Sequence, residues 1–304
     1  MYINTYFRKH SEIDNGHVEC ERILRYFYGM KFLSFFSSNR ISPLWQYSTD
    51  ATVWRIMFSH NGTIIGEDRN TETKTVSFFC LNASDGRVLW KHKTFEEAWW
   101  IGLSGVTSER LYLHGFKKPD MPEQKNIIAV DLSNGTVVWK NTDCAFLALK
   151  SPHVFGYRDL FERRLYYRLD DRTGELQEEM SELPDDVPEN GQYEKTDFTF
   201  SRQATPELDA ELWPLLTSEQ GFVSADVIST PKYHVLNTYQ KNPGDGRDLK
   251  NTLSIIDTAT KKKVYSDVLN GSTAYAVPDS FFMDGHRVYY IKERKTFVAL
   301  DLTT

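Results

Sequence analysis

Cysteine is scarce in this chain of 304 residues: Cys20, Cys80 and Cys144 stand far apart, and none belongs to a Cys-x-x-Cys pair. Neither a disulfide framework nor a cysteine zinc site follows from such spacing. Long apolar runs are missing too, none approaching the ~20 residues of a membrane span. Basic charge is not in excess, with 36 Lys and Arg against 42 Asp and Glu and a net charge of −6. The chain therefore lacks a broad electrostatic footprint for nucleic acid or an anionic membrane. The eight histidines form no His-x-x-x-His or His-x-His pair, so a metal would need ligands from distant segments, and neither metal nor cofactor is expected. There is no Gly-x-Ser-x-Gly elbow and no phosphate-cradling glycine loop. Asp279, Ser280 and His286 lie close in sequence, but a hairpin accounts for them better than a catalytic triad.

What is present is aromatic residues, 14% of the chain, and a repeated pattern. Asn126 to Lys140 holds two β-branched runs, Ile127 to Val130 and Thr136 to Trp139, joined at Asn134-Gly135. This reads as a hairpin whose turn needs positive φ. Aligned on the turn glycine, the pattern is Asn82-x-x-x-Gly86-x-x-x-Trp90, then Asp131-x-x-x-Gly135-x-x-x-Trp139, then Asp170-x-x-x-Gly174 with Glu178 in the Trp place. A fourth copy, Asp257-x-x-x-Lys261-x-x-x-Tyr265, has lost both Gly and Trp, and a fifth begins at Ala299-Leu300-Asp301. The acidic or amide side chain bonds the turn backbone, the glycine takes the left-handed conformation, and the ring covers a sheet face. A unit of ~40 to 50 residues with four short strands is the period of a propeller blade.

The pattern Ala129-x-Asp131-x-x-x-Gly135-x-x-x-Trp139 resembles the tryptophan docking motif of quinoprotein-like (PQQ-type repeat) β-propellers, and the resemblance implies that this Trp packs between adjacent blades. The chain is also similar to an uncharacterised bacterial propeller family, domain of unknown function 4905 (DUF4905), chiefly in its last third, including Ser272 to Phe282. The quinone cofactor of the larger enzymes of this blade type is not implied. Their sites use acidic metal ligands and often adjacent cysteines, which this chain lacks.

The expected fold is all-β: a single β-propeller of five blades of four antiparallel strands, with six as the alternative because Gly174 to Lys261 is nearly twice the preceding intervals. Ile41 to Thr49 carries Trp45 without three strands before it, and His286 to Ile291 and Thr296 to Leu302 read as the second and third strands of a last blade whose fourth strand is missing. The N-terminal strand is expected to complete that blade, leaving no open edge. Residues 1–40 form an N-terminal extension, poorly ordered or partly helical, and 41–304 the propeller domain. Around 180–216 lies an acidic insertion; Glu175 to Glu189 has acidic side chains and no basic one. Within it, Phe198 to Arg202 reads as a strand and Pro206 to Trp213 as a helical turn, and Tyr275 to Val277 is expected to open the fifth blade. The location is expected to be cytoplasmic, with export open if translation starts at Met30, since the segment after it has only short apolar runs.

Propellers gather functional groups at the channel mouth. Innermost strands offer Trp54, Arg55, Trp99, Trp100, Asp226, Tyr275 and Asp279 as binding candidates, weighed against plain core packing. No catalytic residue is assigned. The leading expectation is a non-enzymatic binding or interaction module for an unknown protein or small-molecule ligand. The alternative is a small propeller hydrolase or lyase acting on a carbohydrate-type substrate at the channel mouth, as the resemblance to sugar-active five-bladed rings implies.

Overall fold

The computed structural model describes residues 41–117, 123–187, 198–242, 248–277 and 279–303. The expected N-terminal extension lies outside the described residues. β-branched and aromatic side chains alternating with polar ones make nearly every described element a strand. β1 (Pro43–Ser48) precedes a four-stranded antiparallel sheet of β2 (Thr52–Phe58), β3 (Thr63–Asn70), β4 (Thr75–Asn82) and β5 (Val88–Lys93). The second sheet is β6 (Ile101–Val106), β7 (Arg110–Phe116), β8 (Gln124–Asp131) and β9 (Val137–Asn141). The third is β10 (Ala145–Lys150), β11 (His153–Asp159), β12 (Arg164–Asp170) and β13 (Leu176–Met180). Two short strands follow, β14 (Phe198–Phe200) and β15 (Arg202–Gln203), then a one-turn helix, α1 (Trp213–Thr217). β16 (Phe222–Ser229), β17 (Tyr233–Lys241), β18 (Leu249–Asp257) and β19 (Lys263–Thr273) build the fourth sheet, with β15 added at its β16 edge. The fifth holds β20 (Phe281–Asp284), β21 (Arg287–Lys292) and β22 (Thr296–Asp301), with β14 on the β20 edge and β1 on the β22 edge.

The expected meeting of distant segments is present: Trp45 faces Ala299 and Ser48 faces Thr296 in an antiparallel pair. Three expectations need correction. The strand after β19 is Phe281–Asp284, not Tyr275 to Val277, because β19 runs on to Thr273 and the chain needs 274 to 280 to turn back. β6 starts at Ile101, so Trp99 and Trp100 precede the strand. The helical turn falls at Trp213–Thr217, where Pro214 can occupy the first turn without a missing N–H bond, rather than at Pro206 to Trp213. The first residues of the acidic run form a strand, Leu176–Met180, that pairs with β12.

The tryptophan repeat has one geometric meaning. Trp45, Trp90 and Trp139 sit on edge strands β1, β5 and β9. Each donates its indole Nε1–H to a carbonyl in the β-turn of the following sheet: Ala83 at 3.1 Å, Leu132 at 2.7 Å and Asp171 at 3.0 Å. The turn glycines lie under those rings. A Cβ on Gly86 would stand 2.6 Å from Trp45 and one on Gly174 2.5 Å from Trp139, while Gly135 is 3.0 Å from Trp90 by the same measure. All three have φ near +70°. Gly is therefore required twice over, by conformation and by space.

The third sheet has Glu178 where Trp would stand, and the turn of the fourth sheet has Lys261 where Gly would stand. With no ring to seat, the Cβ is tolerated, and Lys261 instead pairs with Glu211 at 2.6 Å. The face thus left open is covered by Leu212, Trp213 and Leu216 from the segment before β16. Buried clusters join the first and second sheets, the second and third, the fourth and fifth, and the fifth and first. The third and fourth are each packed by the intervening segment, through Val187 on one side and Ala204, Leu212 and Leu216 on the other.

Gly62 separates the two demands made on a turn glycine, having φ +77° with nothing within 4 Å of an added Cβ. Gly62→Ala should cost about 1–2 kcal/mol from backbone conformation alone. Gly174→Ala should cost at least about 2 kcal/mol more as Trp139 is driven out of its seat. Urea unfolding of both variants measures the difference, and equal costs would mean the ring seat contributes nothing.

Candidate functional site

A cavity of about 380 Å³ opens between β2 of the first sheet, the β21–β22 turn of the fifth and the connection from β19 to β20. That is within the ~300–1,000 Å³ usual for small-molecule sites. Its apolar lining includes Val53, Ile56, Val277, Phe282, Ile291 and Phe297, and its polar wall Arg55, Asn270, Ser272, Asp279, Ser280, Glu293 and Arg294. Trp54 forms part of the rim and is 37% exposed.

Three of the seven sequence candidates meet here: Trp54, Arg55 and Asp279. Tyr275 does not line the cavity; it is 80% exposed on the connection before β20. Trp99 and Trp100 lie outside it but are tied to it through Arg69. The Arg69 guanidinium carbon is 5.6 Å from the Trp54 ring centroid and 5.0 Å from that of Trp99. Trp99 and Trp100 are 6.5 Å apart and edge-on, and Trp100 stands 6.3 Å from Phe116. Glu97 Oε1 accepts both of their backbone N–H groups, at 3.2 and 3.1 Å.

Asp226, on β16, is absent from the cavity lining. Its carboxyl feels the charge of Asp279. Burial, with the Asp279 charge adding to it, raises its pKa to about 6, against a hydrogen bond to Tyr239.

The wall is held by groups that strand patterning alone does not reveal. Asn270 donates to Asn251 Oδ1, and Asn251 to Asn237 Oδ1, each at 2.8 Å. Asn237 then donates to Tyr239 Oη at 2.8 Å and Ser280 Oγ at 3.0 Å. Tyr239 closes the relay on the Val277 carbonyl at 2.6 Å. This amide ladder starts and ends at cavity residues, and Asn237 and Asn251 are fully buried. Such a network is stabilising only when every member is satisfied.

A second buried polar group fixes the neighbouring aromatics. Arg69 Nε meets Glu67 Oε1 at 2.6 Å, with Glu67 fully buried. Glu67 Oε2 accepts from Leu103 N at 3.1 Å, while Arg69 donates to the carbonyls of Trp99 and Ile101. Arg55 reaches the same strand through the Leu103 carbonyl at 3.1 Å. The start of β6 is thereby pinned to the first sheet. Buried His114, 2.7 Å from Ser104 Oγ, is kept neutral: burial and then the charges of Arg55 and Arg69 push its pKa down to about 3.

Backbone strain gathers at the cavity. Asp279, Glu293 and Arg294 are non-glycine residues with φ of 52°, 48° and 57°. The last two form the tight β21–β22 turn, where Asn-Gly would be easiest. No Asn-Gly or Asp-Gly pair marks this turn in the sequence. The turn is clamped instead: Val53 N donates to Arg294 O at 2.8 Å, Glu293 N to Leu269 O at 2.7 Å, and Gly271 N to Glu293 Oε1 at 2.8 Å.

Among the described residues no group of three or more His, Cys, Asp or Glu is placed to hold a metal ion, and no helix is long and apolar enough to cross a membrane. The family described as domain of unknown function (DUF4905) matches residues 58–139, from the end of β2 to Trp139 of β9. No curated protein matches. Among solved structures, the chain is similar to a eukaryotic initiation factor, at 11% identity and a TM-score of 0.31, over 83% of this chain and 53% of that one. It thus spans about half the length of that protein. It is also similar to a member of the DUF4221 family from Bacteroides vulgatus, at 9% identity and a TM-score of 0.31, over 86% of this chain and 98% of that one.

The titrations give opposite slopes. Asp226, raised to about 6 from 3.8, binds its proton more tightly when folded, so stability falls as pH rises from about 4 to 6. His114, lowered to about 3 from 6.5, makes stability rise with pH up to about 6.5. Asp226→Asn should therefore steepen the rise between pH 4 and 6 and add roughly 1 kcal/mol at pH 7, allowing for solvent screening. Denaturation midpoints across that range test this; unchanged curves would place Asp226 in solvent.

Proposed function

We propose that the five sheets are the blades of one β-propeller, with β1 completing the fifth blade, and that the protein is a non-enzymatic binding module whose ligand enters the cavity between the first and fifth blades. The chain of interfaces supports the ring. Each of Trp45, Trp90 and Trp139 docks on the next sheet, and the segment between β13 and β16 acts as an insertion filling the junction without such a ring. The observation that carries the binding role is the cavity itself, where Trp54, Arg55, Asp279, Asn270 and Ser280 converge on an apolar floor. Of the sequence candidates, Trp54, Arg55 and Asp279 belong to this site, Trp99 and Trp100 to its flank, and Asp226 to its support.

One observation favours a second reading, a hydrolase. Asp226, with a pKa near 6, lies close to Asp279 and has the properties of a general acid beside a carboxylate. It does not line the cavity, which leaves a bound substrate without contact to the acid. Binding is the reading the geometry supports better.

A fragment library screened by NMR on the full chain tests the site. Hits should shift the indole resonance of Trp54 and be lost in Asp279→Ala with Phe297-region signals intact. Hits mapping elsewhere, or none at all, reject the cavity as the ligand site.

A further inference from the structure

The wall chemistry narrows the ligand. Two cations, Arg55 and Arg294, face two anions, Asp279 and Glu293, around one small volume. A ligand of either net charge gains from one pair and loses to the other. The carboxylates can only accept hydrogen bonds and the guanidinium groups can only donate them. A hydroxyl does both, and a polyol meets both kinds of wall without charge.

The rest of the cavity asks for an apolar face on the same molecule, to lie against Trp54 and Phe282. A sugar ring has that combination, hydroxyls at its edge and C–H groups on its face. Nor does the aromatic surface end at the rim. It continues from Trp54 across the Arg69 guanidinium to Trp99, whose ring also meets Lys74 Nζ at 5.0 Å, and on to Trp100 and Phe116, with both Trp99 and Trp100 half-buried. A one-ring ligand would leave that strip unused.

We infer that the cavity and the Trp54–Trp99–Trp100 strip form one binding site for a neutral oligosaccharide, its terminal unit in the cavity and the following units on the tryptophans. The inference rests on the cavity being the ligand site. Single-stranded nucleic acid also stacks on aromatic rings but follows an extended basic groove, and here the two cations over Trp99, Arg69 and Lys74, are offset by Glu96 and Glu97 beside the strip in a chain of net charge −6. A proline-rich segment offers carbonyl acceptors and no donor for Asp279 or Glu293. The amide ladder and the Glu67–Arg69 pair hold wall and strip before any ligand arrives, which limits the ordering cost of binding.

The test is calorimetric titration of the full chain with malto-, cello-, xylo-, manno-, galacto- and arabinohexaose, with hexagalacturonate and hexaproline as contrasts. At least one neutral hexasaccharide should bind. Trp54→Ala should weaken it at least tenfold and Trp54→Phe restore most of the loss. Trp99→Ala should weaken the hexasaccharide several-fold and leave the matching disaccharide unchanged, and matched melting temperatures exclude misfolding. No binding across the neutral panel, or tighter binding of hexagalacturonate or hexaproline, overturns the saccharide class. If fragments still shift Trp54, the cavity stands with a different ligand; if they do not, both readings fall together.

Discussion

The structure depends on one contact repeated along the chain: an indole ring laid against a glycine turn of the next sheet, with its N–H spent on that turn's carbonyl. The contact is directional. An edge strand supplies the ring and the following sheet supplies the bare backbone, so neither partner is a site of local stability alone. Trp45 on Gly86, Trp90 near Gly135 and Trp139 on Gly174 make the same demand three times. Where the ring is missing, at Glu178, the glycine is missing from the next turn as well, at Lys261. Covariation within one molecule is the expected outcome when the two positions share one space. The segment carrying Trp213 and Leu216 takes over the apolar coverage there.

Where rings and glycines set the spacing of sheets, buried polar groups set the shape of the cavity. Asn237, Asn251 and Glu67 are all nearly inaccessible, and each serves to hold something closer to the surface. The asparagines tie Asn270 to Ser280, and Glu67 with Arg69 ties the backbone of Trp99 and Ile101 to the first sheet. Replacing such groups by apolar ones of similar shape need not unfold a protein. Here it would release the wall and the aromatic strip, so their value is positional.

The fold was largely legible because its determinant is periodic. The Asp-x-x-x-Gly-x-x-x-Trp spacing located the outer hairpins, and the pairing of Trp45's strand with Phe297 to Leu302 followed from two incomplete ends. The proposed site was half legible. Trp54, Arg55 and Asp279, which line the cavity, stand out as aromatic and charged residues beside strand-like runs, while Tyr275 was misplaced by reading a turn as a strand. Glu293 and Arg294 were missed because their left-handed backbone is imposed by clamping from Val53 and Leu269, which are remote in sequence. Glu67 and Arg69 were missed for a similar reason. Alternation treats ionisable residues as solvent-facing, yet β3 is buried on both faces from Thr63 to Arg69.

The pairing of β1 with β22 also has a mechanical side. Pro43 faces Leu300 and Ser48 faces Thr296, so the chain enters β1 and leaves β22 at the same end of the ladder. Tension drawn through those two exits would load one rung at a time instead of the whole row. That pairing would peel open before the hairpins of the other sheets, whose neighbouring strands are joined by covalent turns.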